Sequence, residues 1–399
     1  MTKIAILGFG VVGGGVADLL VSNAREVASL AGDEIEIAHV LDLRDFPDSP
    51  FADKVTHDFN VILSDPEVSI VMELMGGEHP AYEYTMAALR AGKSVVTSNK
   101  EVVSKHGDEF LATAAEMGVS YRFEAAVGGG IPVLSPMISC IGQNKVSEVR
   151  GILNGTTNFI LTEMFTYGKS FDSALADAKA RGYAEADPSA DVLGIDACRK
   201  IAILTALVTG KLVSADNIHT EGITAIRKED VAAAEKLGCT IKLIGRCIVD
   251  NGEISALVAP FLVPLDMPLS GVSGVYNAVE VVAEPLGNVM FYGRGAGAGA
   301  TASAVVGDMC QVMRSGRNCS NPVFTKCASV RDFSAFVAPR YLAFDAKDAD
   351  RVKAAFASSE RVDSAECAIV TDPVSEAELE EILTSASLTP LSSIRIIRA

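Results

Sequence analysis

The sequence predicts an α/β fold whose first domain is built on a doubly wound parallel sheet. Short apolar segments at 4–7, 34–41, 69–74, 93–97 and 120–124 are typical of buried strands, and helical segments separate them. A glycine-rich turn follows the first of these strands at once. Because such sheets bind ligands at the carboxyl ends of their strands, we expect a ligand site beside this turn.

The turn after the first strand has the spacing of a dinucleotide-binding loop in a Rossmann-type fold. Gly8 permits a tight turn, Gly10 lets backbone N–H groups approach a pyrophosphate, and Gly13 lets the next helix lie close to the strand. An apolar-periodic segment continues to residue 27 and predicts one long first helix. A glycine-rich turn of some other α/β protein is the alternative. The residues between the glycines complete the predicted cofactor loop: Phe9, Val11 and Val12.

The second strand ends in an acidic residue, at the position where a nucleotide ribose would bind. Asp42 can accept hydrogen bonds from both ribose hydroxyls, as expected for NAD. Arg44, two residues later, can instead attract the 2′-phosphate of NADP. The choice between NAD and NADP therefore stays open at this point, and a solvated turn acid is the alternative for Asp42.

The composition indicates a compact protein of two or three domains. The chain has 399 residues, of which 49% are hydrophobic and 21% are charged. Its formal net charge of −17 disfavours nucleic acid and anionic membrane surfaces as partners. We expect neither a membrane span nor a signal peptide, since the first apolar residues belong to a strand. Eight cysteines without metal-ligand spacing are typical of a reducing compartment, so we expect a cytoplasmic protein.

Beyond the first domain the pattern changes to that of an α+β domain. Strand-like segments at 146–153, 240–249 and 253–261 surround long helices. The glycine-rich stretch 293–301 opens a helix over 302–313, which we expect to return to the first domain. The predicted boundaries are 1–135 with 300–318 for the dinucleotide-binding domain, 136–299 for a substrate-binding and dimerisation domain, and 330–399 for a small α+β module.

A cluster of charged residues lies near the middle of the chain. Asp187 and Pro188 predict the start of a helix that continues to about residue 208. On that helix Asp196 and Lys200 are four residues apart and therefore face the same way. An ordinary ion pair, worth roughly 0.2–0.5 kcal/mol, is the alternative.

Two further acids, Glu185 and Asp191, belong to the same cluster. Three carboxylates and one ammonium can bind the ammonium group of an amino acid and still leave one proton carrier. Removal of hydride from a carbinol carbon requires the hydroxyl to lose its proton, and the reverse reaction requires an acid at the carbonyl oxygen. A buried lysine must be paired or functional. A lysine at the edge of this buried helix can therefore be the proton carrier in both directions.

Five motifs along the chain point to one family: GFGVVG at 8–13, TSNK at 97–100, EAAVGGGIP at 124–132, NGTTNFIL at 154–161 and, most specific of all, the segment 178–200. On these motifs the chain resembles the homoserine dehydrogenases over nearly everything up to about residue 320. The resemblance implies an NAD(P)-dependent oxidoreductase that interconverts L-homoserine and L-aspartate 4-semialdehyde, in the biosynthesis of threonine, methionine and isoleucine. It also implies a homodimer or homotetramer.

The resemblance implies a role for each charged residue of the predicted site. Lys200 would donate and accept the proton at the substrate oxygen, and Asp196 would orient this lysine or a water. Glu185 and Asp191 would bind the substrate amino group. Lys100 would lie between the nicotinamide end of the cofactor and the substrate.

Other loops receive roles from the same resemblance. Gly155 and Thr156 would lie near the substrate, and Gly297 would approach the cofactor, with turn glycines and a capping threonine as the alternatives. A monovalent cation such as sodium would be held by backbone oxygens of one loop, for which a plain glycine-rich turn is the alternative. The residues of this predicted cation loop are Glu124, Val127, Gly129 and Ile131.

The sequence also departs from relatives of this kind. It contains no kinase segment, so we expect a monofunctional enzyme. The tail resembles an ACT module but has Phe344-Asp345-Ala346 where an Asp-x-Pro-Gly turn is expected, so we expect little inhibition by threonine.

Two rival interpretations remain. An aspartate-semialdehyde-type dehydrogenase would need a thiolate beside a histidine, and the cysteines lie in apolar runs without such a neighbour. A non-catalytic NAD(P)-binding amino-acid sensor is the other.

Overall fold

The computed structural model describes residues 1–316, 321–327, 330–363 and 366–398, and the chain divides into two compact units. The first unit comprises 1–145, 202–215 and 293–328, and the second comprises 146–201, 216–292 and 329–399. The tail thus falls in the second unit. The division into three domains and the ACT-like character of the tail stay predictions. In the described ranges, no helix has the length and apolar composition needed to cross a bilayer.

Strands and helices are numbered in chain order. The strands are β1 (Thr2–Leu7), β2 (Ile35–Leu41), β3 (Val55–Thr56), β4 (Val68–Glu73), β5 (Ser94–Thr97), β6 (Tyr121–Arg122), β7 (Lys145–Ile152), β8 (Lys211–Leu212), β9 (His219–Thr220), β10 (Cys239–Asp250), β11 (Glu253–Pro264), β12 (Tyr276–Glu284), β13 (Gly287–Arg294), β14 (Thr325–Lys326), β15 (Val337–Ala338), β16 (Arg340–Phe344), β17 (Glu360–Val362), β18 (Cys367–Val370), β19 (Val374–Ser375) and β20 (Ser392–Ile396).

The α-helices are α1 (Val11–Ser22), α2 (Ala24–Ala31), α3 (Phe59–Ser64), α4 (Ala81–Arg90), α5 (Lys100–Met117), α6 (Leu134–Pro136), α7 (Gly155–Tyr167), α8 (Phe171–Ala180), α9 (Ser189–Val192), α10 (Ile195–Thr209), α11 (Lys228–Lys236), α12 (Ala298–Ser315), α13 (Ala349–Ala355) and α14 (Glu376–Ser385). Short 3₁₀ helices lie at Ala52–Lys54, Glu124–Ala126, Ala215–Asn217, Pro268–Gly271, Phe333–Ala335 and Ala346–Asp348, and a π-helical turn lies at Met137–Ile141.

The first unit contains the predicted parallel sheet, in the strand order β3-β2-β1-β4-β5-β6. All neighbouring strands in it are parallel. β1 and β4 each end in four buried residues, which is typical of strands covered by helices on both faces. The order reverses between these two strands, and open α/β sheets bind their ligands at that point.

The glycine-rich turn brings α1 very close to β1. Gly8 has a φ of +90°, and its N–H donates to the carbonyl oxygen of Leu41 at 2.8 Å. A Cβ on Gly13 would lie only 2.0 Å from the carbonyl oxygen of Gly8, so the close approach predicted there is confirmed. A Cβ on Gly15 would lie 3.2 Å from the carbonyl oxygen of Ala298. Helix α12 therefore packs on α1, and both helices belong to the first unit.

Two elements of the first unit differ from the sequence prediction. The single first helix is wrong, because Asn23 leaves the helical conformation with φ −117° and ψ 29° and separates α1 from α2. The strand predicted over 120–124 shrinks to β6, since Phe123 has a ψ of 32° and a 3₁₀ helix follows it.

A larger mixed sheet has the order β13-β12-β7-β10-β11-β20-β16-β18-β17. β10 and β11 form a long antiparallel hairpin that pairs from Cys239 opposite Pro264 to Asp250 opposite Glu253. The three predicted strands of this region are confirmed as β7, β10 and β11. The sequence did not predict the hairpin of β12 and β13 or strand β17, because β13 and β17 have little buried surface and so no apolar face to recognise.

Strand β20 ties the tail into this sheet. It pairs in parallel with β11, with Arg395 opposite Phe261. Arg395 is buried and donates to both carboxylate oxygens of Glu221, at 2.9 and 2.8 Å, and to Glu376 at 2.9 Å. Because a buried guanidinium without an acid partner is costly, these two carboxylates are needed where β20 is docked.

Gly13→Ala is expected to destabilise the first unit, because the new methyl group would overlap the backbone oxygen of Gly8. Overpacking of a close-packed region costs about 1–3 kcal/mol, and a backbone oxygen cannot rotate away. Gly14→Ala is the matched control, since nothing lies within 4 Å of that Cβ position and alanine favours a helix interior by about 0.5–1 kcal/mol. Urea unfolding of both variants provides the measurement, and a Gly13→Ala protein as stable as the wild type would contradict the close packing.

Candidate active site

The charged segment of the second unit is interrupted by a glycine. The continuous helix predicted from Asp187 is wrong: α9 ends at Val192 and α10 begins at Ile195. Gly194 has a φ of +83°, and a Cβ there would lie 3.0 Å from the methyl group of Thr220. The break therefore depends on a left-handed conformation that glycine adopts without strain. It allows Asp191 and α10 to be oriented separately.

Lys200 and Asp196 form a buried pair on α10, as the four-residue spacing predicts. The Nζ of Lys200 lies 2.6 Å from Oδ2 of Asp196 and 2.8 Å from the carbonyl oxygen of Leu153. The two charged residues are 8% and 5% exposed. The lysine is thus fixed between a carboxylate and a backbone oxygen, with little freedom to change rotamer.

Asn154 joins the two acids of this segment, and the sequence analysis missed it. Its Nδ2 donates to Oδ1 of Asp191 at 2.7 Å and to Oδ2 of Asp196 at 2.9 Å. Its Oδ1 accepts from the backbone N–H of Thr157 at 2.9 Å and so caps α7. The sequence signal was an asparagine between a strand and a helix, which predicts the cap but not the bridge between carboxylates.

The loop before α9 and the start of α7 meet beside this group. Thr156 Oγ1 donates to the carbonyl oxygen of Tyr183 at 2.7 Å. A Cβ on Gly155 would lie 2.7 Å from the carbonyl oxygen of Val275, so only glycine fits there. Glu185 follows Tyr183 in the loop and is exposed. The structure therefore brings together Asn154, Thr156, Asp191, Asp196 and Lys200, whereas the carboxylate of Glu185 belongs to a surface loop.

In the first unit, Asp42 and Arg44 are paired with each other. Oδ1 of Asp42 lies 3.0 Å from Nε of Arg44, and Oδ2 lies 3.1 Å from Nη2. Oδ2 also accepts from the backbone N–H of Phe9 at 2.8 Å. The guanidinium and these N–H donors lower the pKa of Asp42 to about 2. An ionised carboxylate thus fixes the glycine-rich loop against the end of β2.

Gly10 and Gly297 leave backbone accessible in the same unit. Nothing lies within 4 Å of a Cβ built on either residue. Gly297 has a φ of +117° and precedes Ala298, the residue that packs on Gly15 of α1. Together with the paired acid at the end of β2, this open backbone fits the pyrophosphate and ribose of a dinucleotide.

Lys100 opens α5 directly after the loop that follows β5. Asn99 caps this helix, because its Oδ1 accepts from the backbone N–H groups of Glu101 and Val102 at 3.1 and 3.4 Å. Lys100 is half-buried. The helix N-terminus thus presents a lysine at the carboxyl edge of the parallel sheet.

The predicted cation loop is compact and rich in backbone oxygens. Its members Val127, Gly129 and Ile131 are buried, and in the described residues their carbonyl oxygens accept no backbone hydrogen bond. The carboxylate of Glu124 is used differently, since it accepts three backbone N–H groups at 2.6–2.8 Å. Backbone carbonyl oxygens grouped in one loop suit a hard monovalent cation.

Within the described ranges, no three His, Cys, Asp or Glu residues are grouped so that they could hold a metal ion. Asp308 accepts from the backbone N–H of Glu124 at 2.8 Å, and burial followed by the charge of Glu124 raises the pKa of Asp308 to about 7.

A parallel sheet with a glycine-rich first loop, together with a unit that buries a lysine between an acid and a backbone oxygen, defines an NAD(P)-dependent oxidoreductase. Two family models match the chain: the homoserine dehydrogenase NAD binding domain over residues 8–124 and homoserine dehydrogenase over residues 132–310. The chain therefore belongs to the homoserine dehydrogenase family, and the resemblance found in the sequence is confirmed.

Individual relatives agree with the family match. Homoserine dehydrogenase of a Synechocystis species is 43% identical over 78% of this chain and 73% of its own length, and that of Bacillus subtilis is 36% identical over 96% and 94%. The crystal structure of a homoserine dehydrogenase from Thiobacillus denitrificans superposes with a TM-score of 0.91 at 33% identity, over 99% of this chain and 98% of the other.

Asn154→Ser is expected to lower kcat/KM because serine retains a capping oxygen for α7 but cannot donate to the two carboxylates. Hydrogen bonds to charged groups are worth about 1.5–3 kcal/mol each, so kcat/KM is expected to fall roughly 100-fold. The free energy of unfolding should fall as well, because both bonds are present without substrate. Steady-state kinetics with homoserine measure it.

The control is Asn288→Ala, which removes an exposed amide that donates to Glu280 at 3.1 Å. Equal kcat/KM values for the Asn154 and Asn288 variants would show that the bridge does not matter.

Proposed function

We propose that this chain interconverts L-homoserine and L-aspartate 4-semialdehyde, with Lys200 carrying the proton at the substrate oxygen. The observation that supports this most is the buried lysine held 2.6 Å from Asp196 and 2.8 Å from the Leu153 oxygen. When bound, NAD(P) supplies or accepts the hydride. Lys200 donates a proton to the aldehyde oxygen in one direction and takes it from the hydroxyl in the other.

Asp196 and Asn154 orient this proton carrier. The carboxylate accepts from both the lysine and the amide, and Leu153 accepts a second N–H of the lysine, so the ammonium keeps one direction while its third N–H stays available to substrate. Asp196 can also hold a water beside Lys200. The acid thus contributes through position and charge.

Acids and the start of α7 would bind the amino-acid end of the substrate. Asp191, half-buried and already hydrogen bonded to Asn154, offers its other oxygen to the substrate ammonium. Glu185 would add a second carboxylate from the adjoining loop. The backbone N–H groups of Gly155 and Thr156 occupy the first turn of α7, where an anion such as the substrate carboxylate is stabilised.

The cofactor would bind at the loop from Gly8 to Gly13, including Phe9, Val11 and Val12, with Gly297 and Lys100 beside it. Arg44 is 63% exposed and anchored by Asp42, so its guanidinium can reach a 2′-phosphate. We therefore propose NADP as a cofactor through Arg44, and NAD when Asp42 contacts the ribose instead.

A monovalent cation and self-association complete the proposal. Sodium would be held by the backbone oxygens of Glu124, Val127, Gly129 and Ile131, where it would fix the loop that follows β6.

A homodimer or homotetramer is supported by β13, an edge strand whose Met290 and Tyr292 are exposed. The acidic net charge and the cysteine pattern support a cytoplasmic location without nucleic-acid partners.

Lys200→Met is expected to lower kcat by about 10²–10⁴-fold, the usual contribution of general acid–base catalysis, while the Kd for NADPH stays within twofold. Methionine keeps most of the side-chain volume and removes the proton carrier. Lys211→Met, at an exposed lysine of β8, is the control and should leave kcat unchanged.

Stopped-flow kinetics and NADPH fluorescence provide the two readouts. Wild-type turnover retained by Lys200→Met would remove this lysine from the mechanism. A wild-type protein that binds NADPH but does not turn over homoserine would favour the amino-acid sensor.

Arg44→Ala is expected to reduce kcat/KM with NADPH by about 10–100-fold, the value of one or two charge-assisted hydrogen bonds. With NADH the same variant should be unchanged or improved, because Asp42 no longer pairs with the guanidinium and can accept from the ribose hydroxyls. Initial rates with both cofactors decide this, and Arg25→Ala on the surface of α2 is the control. An equal loss with NADH and NADPH would contradict the assignment.

A further inference from the structure

A carboxyl group without a basic partner is buried at the carboxyl end of β4. Glu73 is 0% exposed. Its Oε1 accepts from the backbone N–H of Met75 at 2.9 Å, and its Oε2 accepts from the hydroxyl of Thr97 at 2.6 Å. Among the described residues, no lysine, arginine or histidine shifts the pKa of the Glu73 carboxyl. A buried acid in this situation calls for an explanation other than an ion pair.

Hydrogen bonds continue from Glu73 into a closed ring. The backbone N–H of Asn99 donates to Oγ1 of Thr97 at 2.9 Å, and Nδ2 of Asn99 donates to the carbonyl oxygen of Gly77 at 2.8 Å. Met75 and Gly77 belong to the loop after β4, whereas Thr97 and Asn99 lie at the end of β5 and just beyond it. The ring therefore fastens two neighbouring loops to each other at one edge of the sheet.

The glycine-rich turn that begins at Gly8 lies against this edge of the sheet. A Cβ on Gly8 would lie 3.0 Å from the carbonyl oxygen of Leu74 and 3.1 Å from Cγ of Met75. On the other side, Asn99 caps α5, whose first residue is Lys100. The ring of Glu73, Met75, Gly77, Thr97 and Asn99 thus contacts the glycine-rich turn and fixes the start of the helix that carries Lys100.

We propose that Glu73 is a positioning residue for the cofactor: its ionised carboxylate closes the ring that holds the loops after β4 and β5 in the arrangement that binds NAD(P). The proposal rests on the cofactor site described under the proposed function. Glu73 acts through the backbone it fixes.

The state of the Glu73 carboxyl changes near neutral pH. Burial raises the pKa of Glu73 to about 7, against the opposing hydrogen bonds from Thr97, Met75 and Asn99. The strands next to β4 are β1 and β5, which place Leu7 and Thr97 beside Glu73. One strand further on, β6 carries the buried Tyr121, and burial followed by the charge of Glu73 raises the pKa of that phenol. A protonated carboxyl must donate to a Thr97 hydroxyl that already accepts from Asn99, so the ring is weaker in that form.

The decisive experiment measures the Kd for NADPH of the full chain by fluorescence from pH 6 to 8.5. In the wild type the Kd should rise as the pH falls through about 7. Glu73→Gln should bind about tenfold more weakly at pH 8 and show no pH dependence in this range, since the amide does not titrate. Thr97→Val should show a similar loss, and the double variant should be no worse than either single one.

Controls separate positioning from folding and from the reaction. Ser69→Ala changes the opposite end of β4, where the serine hydroxyl donates to the backbone carbonyl oxygen of Lys3. This variant should leave the Kd for NADPH unchanged. If Glu73→Gln fails to fold, Thr97→Val alone carries the test. A folded variant of either residue with the wild-type Kd and pH profile overturns the proposal. A wild type that does not turn over homoserine would instead count against the proposed function. The two failures can be told apart because the Kd measurement does not require turnover.

Thermal unfolding gives a second, signed readout. Because the folded-state pKa of Glu73 lies above its usual value of 4.5, the native protein retains this proton to higher pH than the unfolded chain. Its contribution to stability is full below about pH 4.5 and is lost as the pH rises through about 7. The Tm of Glu73→Gln relative to the wild type should therefore increase between pH 5 and 8, and a constant difference would contradict a titrating carboxyl.

Discussion

A lysine buried between one carboxylate and one backbone oxygen is the interaction on which the candidate site depends. Taking an ammonium out of water is costly unless its partners are close, and Lys200 has Asp196 and the Leu153 oxygen within 2.8 Å. The same requirement applies to the turn after β7, because the carbonyl oxygen of Leu153 and the amide of Asn154 are the partners of Lys200 and Asp196 on α10. The turn after β7 therefore serves both the packing of α10 and the proposed proton transfer.

The two units fix their carboxylates with different hydrogen-bond donors. In the second unit, an amide holds two carboxylates in fixed directions, so charge is shared among Asn154, Asp191 and Asp196. In the first unit, carboxylates receive backbone N–H groups instead, as Asp42 does from Phe9 and Glu124 does from the start of α6. Backbone donors fix a loop without a side-chain partner, and at Asp42 the guanidinium of Arg44 adds positive charge beside the glycine-rich loop.

Much of the first unit could be predicted from the sequence because local patterns determine it. Buried strands alternating with helices, and glycines at fixed spacing, are visible without knowledge of distant contacts, and the pair of Asp196 and Lys200 follows from helical periodicity alone. The break at Gly194 was missed because a glycine inside an apolar-periodic segment is compatible with a helix. Its consequence is set by Thr220, a residue remote in sequence. The bridge made by Asn154 was missed for the same reason, since its partners lie 37 and 42 residues away.

Arg395 gives the carboxyl-terminal tail a significance beyond its distance in sequence from the charged segment. Its guanidinium neutralises Glu221, and Gly222, the next residue, lies so close to Val192 that a Cβ would stand 2.2 Å from the Val192 oxygen. Proteolytic removal of the last strand would take the guanidinium away from Glu221, a partly buried carboxylate whose other partner is His219, beside the residue that packs against the end of α9. Clipping of the tail during purification would thus weaken the packing of α9, in the same unit as the residues of the candidate site.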